Sequence, residues 1–181
     1  MFTEGIITAK QDNGLEWYQI NTSDAMGGYL RISSETVKLN CNKKIIKCGD
    51  VIISRLRPYL RQVAYVDKEG INLCASTEFY VMRGRNRESI AYLVPFLLSE
   101  AAQTVFANAV EGSQHPRFKE DDILNLIVPS KLFKEREEIS QRIESAIANY
   151  RAYEEILHEE IFHINEIVVR CPHPRIDGTP D

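Results

Sequence analysis

Arg55, Arg57 and Arg61 stand two and four residues apart, with Tyr59 between the last two. Successive side chains of an extended strand point to opposite faces, so these four share one face at period two unless Pro58 twists the segment. A comb of planar guanidinium forks matches phosphate oxygens bidentately, and equally the O6 and N7 edge of guanine. The competing use is internal, because the same arginines can pair with Asp50, Glu78 or Glu111 and hold a sheet together. Lys43 and Lys44 lie in a polar stretch beside Asn40 and Asn42, either a solvated loop or a set of groups facing phosphates and base edges. Ser113, Gln114, His115 and Arg117 surround Pro116, which suits a nucleic-acid contact or a structural corner. His115 has no acid–base partner close in sequence, so no catalytic role is expected of it.

Enzymatic chemistry finds little else to work with. The chain has no GxGxxG, P-loop or HExxH, no nucleophile and base at a recognisable spacing, and no Asn-Pro-Pro-Tyr of the kind a base-flipping adenine methyltransferase uses. Its four cysteines lack CxxC spacing, so neither a zinc site nor a disulfide framework is expected, and no cofactor is implied. Asp121 and Asp122 fit the acidic first turn of a short helix, and the glutamate pairs at 137–138, 154–155 and 159–160 fit solvated helix faces.

A formal net charge of −4 argues at first against a polyanionic partner. The distribution reverses that. Lys38, Lys43, Lys44, Lys47, Arg55, Arg57 and Arg61 face the single acid Asp50 within residues 38–63, a local balance of +6, whereas residues 131–181 hold 11 acids against 7 bases. A basic block is joined to an acidic tail. Residues 1–14 lack the apolar run of a signal peptide, and Ile90–Leu98 is about half of what a bilayer span needs and contains Pro95, so a cytoplasmic protein with no membrane partner is expected.

The elements that must position these groups fall into three stretches: a β-rich domain over 1–130, a long helix over 131–170 and a disordered tail over 171–181. Up to about Arg83 short apolar runs alternate with turn residues, which predicts strands at Gly5–Ala9, Glu16–Ile20, Tyr29–Ile32, Asp50–Ser54, Leu60–Val66 and Glu78–Arg83. Pro58 makes Leu56–Tyr59 an edge, bulge or corner. Helical spacing follows, with Ile90, Leu93, Leu97, Ala101, Val105 and Ala109 as one buried stripe, Ser89 as N-cap and Pro95 as the kink or division. A short turn at Glu120–Ile123 and a strand at Asn125–Val128 come next.

From Leu132 to Val168 there is neither glycine nor proline, which predicts one long helix or two with a break between them. Ile139, Ile143, Ala146, Tyr150, Tyr153, Leu157, Ile161, Ile164 and Val168 step by four or three, with one stutter after Leu157. A domain of this size cannot cover so long a stripe, so a second helix is expected from a partner chain or from a second half of the protein. Ile139, Ile143, Tyr150, Leu157, Ile161 and Ile164 are the expected partner-facing residues. The fold class is α+β: a curled β-rich domain with a few packed helices, followed by a coiled-coil arm.

Asp50-Val51-Ile52-Ile53-Ser54-Arg55-Leu56-Arg57-Pro58-Tyr59-Leu60-Arg61-Gln62-Val63-Ala64 resembles a segment of the specificity subunits of Type I restriction-modification systems. Cys74-Ala75-Ser76-Thr77-Glu78-Phe79-Tyr80-Val81, Gly112-Ser113-Gln114-His115-Pro116-Arg117-Phe118 and Leu124-Asn125-Leu126-Ile127-Val128-Pro129 follow in the order that family has them, over about Gly49 to Ile143. The resemblance implies a non-catalytic subunit whose target recognition domain reads half of a split site in double-stranded DNA. It further implies long helices that space two such domains and dock the methyltransferase subunits, and so direct the restriction subunits. With one recognition domain and one helical region, the chain is expected to act as half of the full-length pattern, completed by a second copy or by another half. Two other readings remain at this point: the recognition domain of a fused N6-adenine methyltransferase or restriction enzyme, and a non-catalytic coiled-coil scaffold.

Overall fold

The computed structural model of the chain describes residues 6–7, 14–112 and 114–170. Among the described residues nine strands form two sheets. The first, β3-β4-β7-β6-β9, contains β3 (Ala25–Met26), β4 (Gly28–Leu30), β6 (Val51–Ser54), β7 (Val63–Tyr65) and β9 (Phe79–Met82); the second, β1-β5-β8-β2, contains β1 (Ile6–Ile7), β2 (Tyr18–Ile20), β5 (Lys43–Ile46) and β8 (Leu73–Ala75). β4 runs parallel to β7 and β2 parallel to β8, and the other pairs are antiparallel.

The core lies where Ile20, Ile46, Leu73 and Ala75 of the second sheet meet Leu30, Ile52, Ala64, Phe79 and Val81 of the first. Alternation then places Cys74 on the opposite face of β8, where it packs with Trp17 and Leu39. Every residue of β6, β7 and β9 is buried, which explains why their sequences read as apolar runs rather than as alternation. Helices α1 (Leu93–Leu98) and α2 (Glu100–Asn108) cover part of the first sheet: Phe106 stacks on Phe118 at 4.5 Å, and Phe118 meets Tyr80 at 5.7 Å. Gly28, at φ 91°, lies so close to α1 that a Cβ there would sit 3.0 Å from Val94.

Several expectations are corrected. The division between α1 and α2 falls at Ser99 and not at Pro95. Pro95 is the third residue of α1, where the missing N–H has no intrahelical acceptor to lose, whereas Ser99 has ψ 151° and its Oγ accepts from the Ala102 N–H. This restart moves the buried face of α2 to Ala102, Gln103 and Phe106, leaving Ala101 and Val105 exposed. Ser89 does not cap α1, whose N-cap is Tyr92; its hydroxyl donates to Glu144 at 2.5 Å. No strand forms at Asn125–Val128. After α3 (Glu120–Leu124) the N–H groups of Asn125 and Leu126 turn back to Asp121 and Ile123, and Ile127 is left 89% exposed. β3, β5 and β8 were not anticipated, and β5 turns the expected Lys43–Lys44 loop into a strand held on both sides by β1 and β8.

The helical region begins with α4 (Ser130–Lys134), and the break is Glu135, after which α5 (Arg136–Arg170) runs for 35 residues, roughly 52 Å at 1.5 Å per residue. The chain forms two compact units, Met1–Glu144 and Ser145–Asp181. The first turns of α5 therefore belong to the first unit: Ser140, 1% exposed, accepts the Tyr92 N–H at 3.1 Å. In the second unit Tyr153, Leu157, Ile161, Ile164 and Val168 are between 44% and 57% exposed, and Ile156, Phe162 and Val169 are also open. The stretch expected to be a disordered tail, 171–181, lies outside the described residues, as do Gly5, Thr8, Ala9, Asp12 and Asn13.

Candidate nucleic-acid interface

β6 delivers the arginine segment at the end of a buried strand, and the chain then turns instead of extending. Leu56 bridges Arg117, Arg57 is left-handed at φ 50°, Pro58–Leu60 forms a 3₁₀ turn with Pro58 buried at its first position, and Arg61 is left-handed at φ 50°. The single-faced comb of Arg55, Arg57, Tyr59 and Arg61 therefore does not exist. Proline lacks the N–H that a ladder needs and its ring sets the φ of a turn, so the twist that was the condition on the comb is what the segment adopts.

The arginines divide by partner. Arg55 Nε donates to Glu78 Oε2 at 3.1 Å, while Arg117 spans the same carboxylate with Nε at 2.9 Å and Nη2 at 2.8 Å. Hydrogen bonds from Arg117 and then Arg55 hold the Glu78 carboxyl below its ordinary range, against the opposing effect of burial. Arg61 Nη2 reaches Glu100 on α2 at 2.6 Å. Asp50, fully buried, is taken by Arg83 through two bonds of 2.6 Å and by the Lys47 N–H, and Glu111 pairs with Lys119. Arg57 has no side-chain partner among the described residues, and Tyr59 is 65% exposed.

The loop before α3 is stitched to this turn by backbone. Arg57 N–H donates to Pro116 O at 2.8 Å, Phe118 N–H to Arg55 O at 3.2 Å, and Glu111 and Arg117 exchange a pair of bonds. His115 lends its carbonyl to Arg117 Nη1 and is itself exposed with Gln114. Ser113 lies outside the described residues. Lys44 stands on β5 with its ammonium 5.6 Å from the centre of the Tyr80 ring, whose phenol donates to Phe118 O at 3.2 Å; burial pushes that phenol up and Arg55 pulls the other way. Arg55 and Arg117 are thus gathered on Glu78 and Lys44 over Tyr80, while Arg57 stays open on the turn, Arg61 is drawn toward α2 and Lys43 precedes Lys44 on β5. Sequence reasoning missed Glu100, for which no local signal exists: it is 39 residues from its partner.

A cleft of about 600 Å³ opens elsewhere on the first unit, with Lys47, Arg83, Glu69, Glu88 and Glu144 among its walls. Glu144 Oε1 accepts from the Tyr65 phenol at 2.9 Å; burial and then that hydrogen bond raise the phenol strongly, and burial and Glu69 push the Cys48 thiol up to about 11. A thiol held protonated is a poor nucleophile. Among the described residues no group of three His, Cys, Asp or Glu is placed to hold a metal, and no helix is long and apolar enough to cross a membrane.

This arrangement defines a two-sheet α+β domain with a guanidinium-rich turn between β6 and β7, followed in the chain by a long helix. Solved structures share the fold. A chain from a study of complex assembly and conformational transition of the type I R-M system matches 99% of this chain and 53% of its own length, with a TM-score of 0.60 at 19% identity. The HsdS subunit from Thermoanaerobacter tengcongensis matches over 97% of this chain and 48% of its own, with a TM-score of 0.56 at 20% identity. The fold is that of a type I specificity subunit, and the chain spans about half the length of the solved chains it matches. No protein-family model matches it, and no curated protein does.

Proposed function

We propose that this chain is the DNA-binding specificity subunit, or one half of one, of a type I restriction-modification system, without catalysis of its own. The observation that carries this is a fold shared over 99% of the chain with a protein nearly twice as long. The +6 block of residues 38–63 supplies the electrostatic footprint for duplex DNA. Lys43, Lys44, Arg55, Arg57, Tyr59, Arg61, Gln114, His115 and Arg117, with Ser113, are the candidate contacts. The open apolar positions Leu157, Ile161 and Ile164 of α5 suit a partner helix from a second recognition half or from a methyltransferase subunit, whereas Ile139, Ile143 and Tyr150, expected on the same stripe, are only partly exposed. Restriction subunits follow through that assembly.

Titration of a labelled random-sequence duplex with the purified chain tests this. Affinity is expected to fall linearly on a double-logarithmic salt plot with a slope of roughly 0.9 per phosphate neutralised. Absence of binding both alone and with the methyltransferase subunit would overturn the proposal.

A further inference from the structure

We infer that Arg57 and Tyr59 form a phosphate clamp of the DNA-binding surface, and that the neighbouring arginines are struts holding that clamp in place; the inference rests on the DNA-binding reading above. Arg55 and Arg117 spend their forks on Glu78, and Arg61 spends its own on Glu100. Among the described residues Arg57 alone of the four has no acid beside it, although a guanidinium offers five donors and no acceptor.

Its backbone, in contrast, is fastened on every side. The Arg57 N–H donates to Pro116 O at 2.8 Å and its carbonyl accepts from Leu60 at 2.9 Å. Arg61 N–H returns to Pro58 O at 2.8 Å, and Pro58 is buried beneath the turn. Arg57 and Arg61 both hold left-handed backbone, which non-glycine residues seldom adopt and which persists where the surroundings enforce it. A braced, strained turn that leaves one arginine open and a tyrosine 65% exposed presents two donors from a fixed backbone to an external acceptor. The acceptor matching an open guanidinium fork, with an exposed phenol two residues along the same turn, is a phosphodiester of duplex DNA.

The variants keep the fold. Arg57→Asn removes the charge with a residue that tolerates left-handed backbone, Arg57→Lys keeps the charge, and Tyr59→Phe removes one donor. In the duplex titration, R57N is expected to weaken binding equally across sequences and to lower the salt slope by about 0.9, R57K to keep the slope, and Y59F to weaken binding without altering it. Thermal unfolding should be unchanged in all three. A wild-type slope in R57N, or a loss confined to particular sequences, would overturn the clamp while leaving DNA binding intact. A wild-type chain that binds no duplex would overturn both.

Discussion

Glu78 and Arg117 face each other through two parallel hydrogen bonds, 2.9 and 2.8 Å, across 39 residues of sequence. With Arg55 on the same carboxylate, this pair ties the end of β6, the start of β9 and the loop before α3 into one corner. Replacing Glu78 by Gln leaves two guanidinium groups sharing a neutral acceptor, and the variant is expected to lose about 1–2 kcal/mol in urea unfolding. A loss near zero would mean that the clasp is ornamental to the corner.

The same carboxylate makes stability depend on pH. Its folded-state pKa lies below the ordinary 4.5, so its contribution is complete above that value and is lost as pH falls through the depressed folded value. Wild type should therefore lose stability on acidification below about pH 4.5 more steeply than Glu78→Gln, and the two curves should converge at lower pH. Parallel curves would assign the acid sensitivity to other groups.

Asp50 offers a harsher test, being completely buried with both oxygens bound to Arg83. Asp50→Asn keeps the shape and removes the charge from under a half-exposed guanidinium. A loss of about 3 kcal/mol in denaturant unfolding is expected, and one below about 0.5 kcal/mol would show that Arg83 reorients to solvent without penalty.

Legibility in the sequence followed the range of the interactions. Val51-Ile52-Ile53 and Phe79-Tyr80-Val81 were readable as strands because two-sided burial demands continuous apolar runs, and the corner at Pro58 because proline's ring dictates it locally. Lys43-Lys44 was not readable as strand, since its pairing with β1 and β8 is non-local and outweighs the composition. The Ser99 break was hidden behind the more conspicuous Pro95, which the first turn of a helix accepts. Among the candidate contacts, the arginines could be found as a group, but their division into bound and open required knowing that Glu78 and Glu100 fold back onto them.

Gln62 is 7% exposed and its Oε1 is buried with no hydrogen-bond partner among the described residues. An unsatisfied acceptor of this kind costs about 1–3 kcal/mol. Gln62→Met, of similar volume and without the polar atom, is expected to match or exceed wild-type stability by up to about 1 kcal/mol. Clear destabilisation in the same unfolding assay would show that the amide is satisfied in solution.

Leu157 and Ile161, 44% and 51% exposed one turn apart on α5, carry the assembly part of the proposal. Leu157→Lys with Ile161→Lys should leave thermal unfolding of the β-rich unit within about 0.5 kcal/mol of wild type and abolish self-association or methyltransferase-subunit binding in sizing experiments. Unchanged association would remove this face from the interface.

Sequence-specific recognition of duplex DNA is measured most directly by selection from a randomised duplex pool on the purified chain, alone and with a methyltransferase subunit. A type I specificity half should enrich one short contiguous motif, or the same motif twice at a fixed spacing if two copies act together. A pool that stays random after repeated rounds, under salt at which binding is retained, would contradict it.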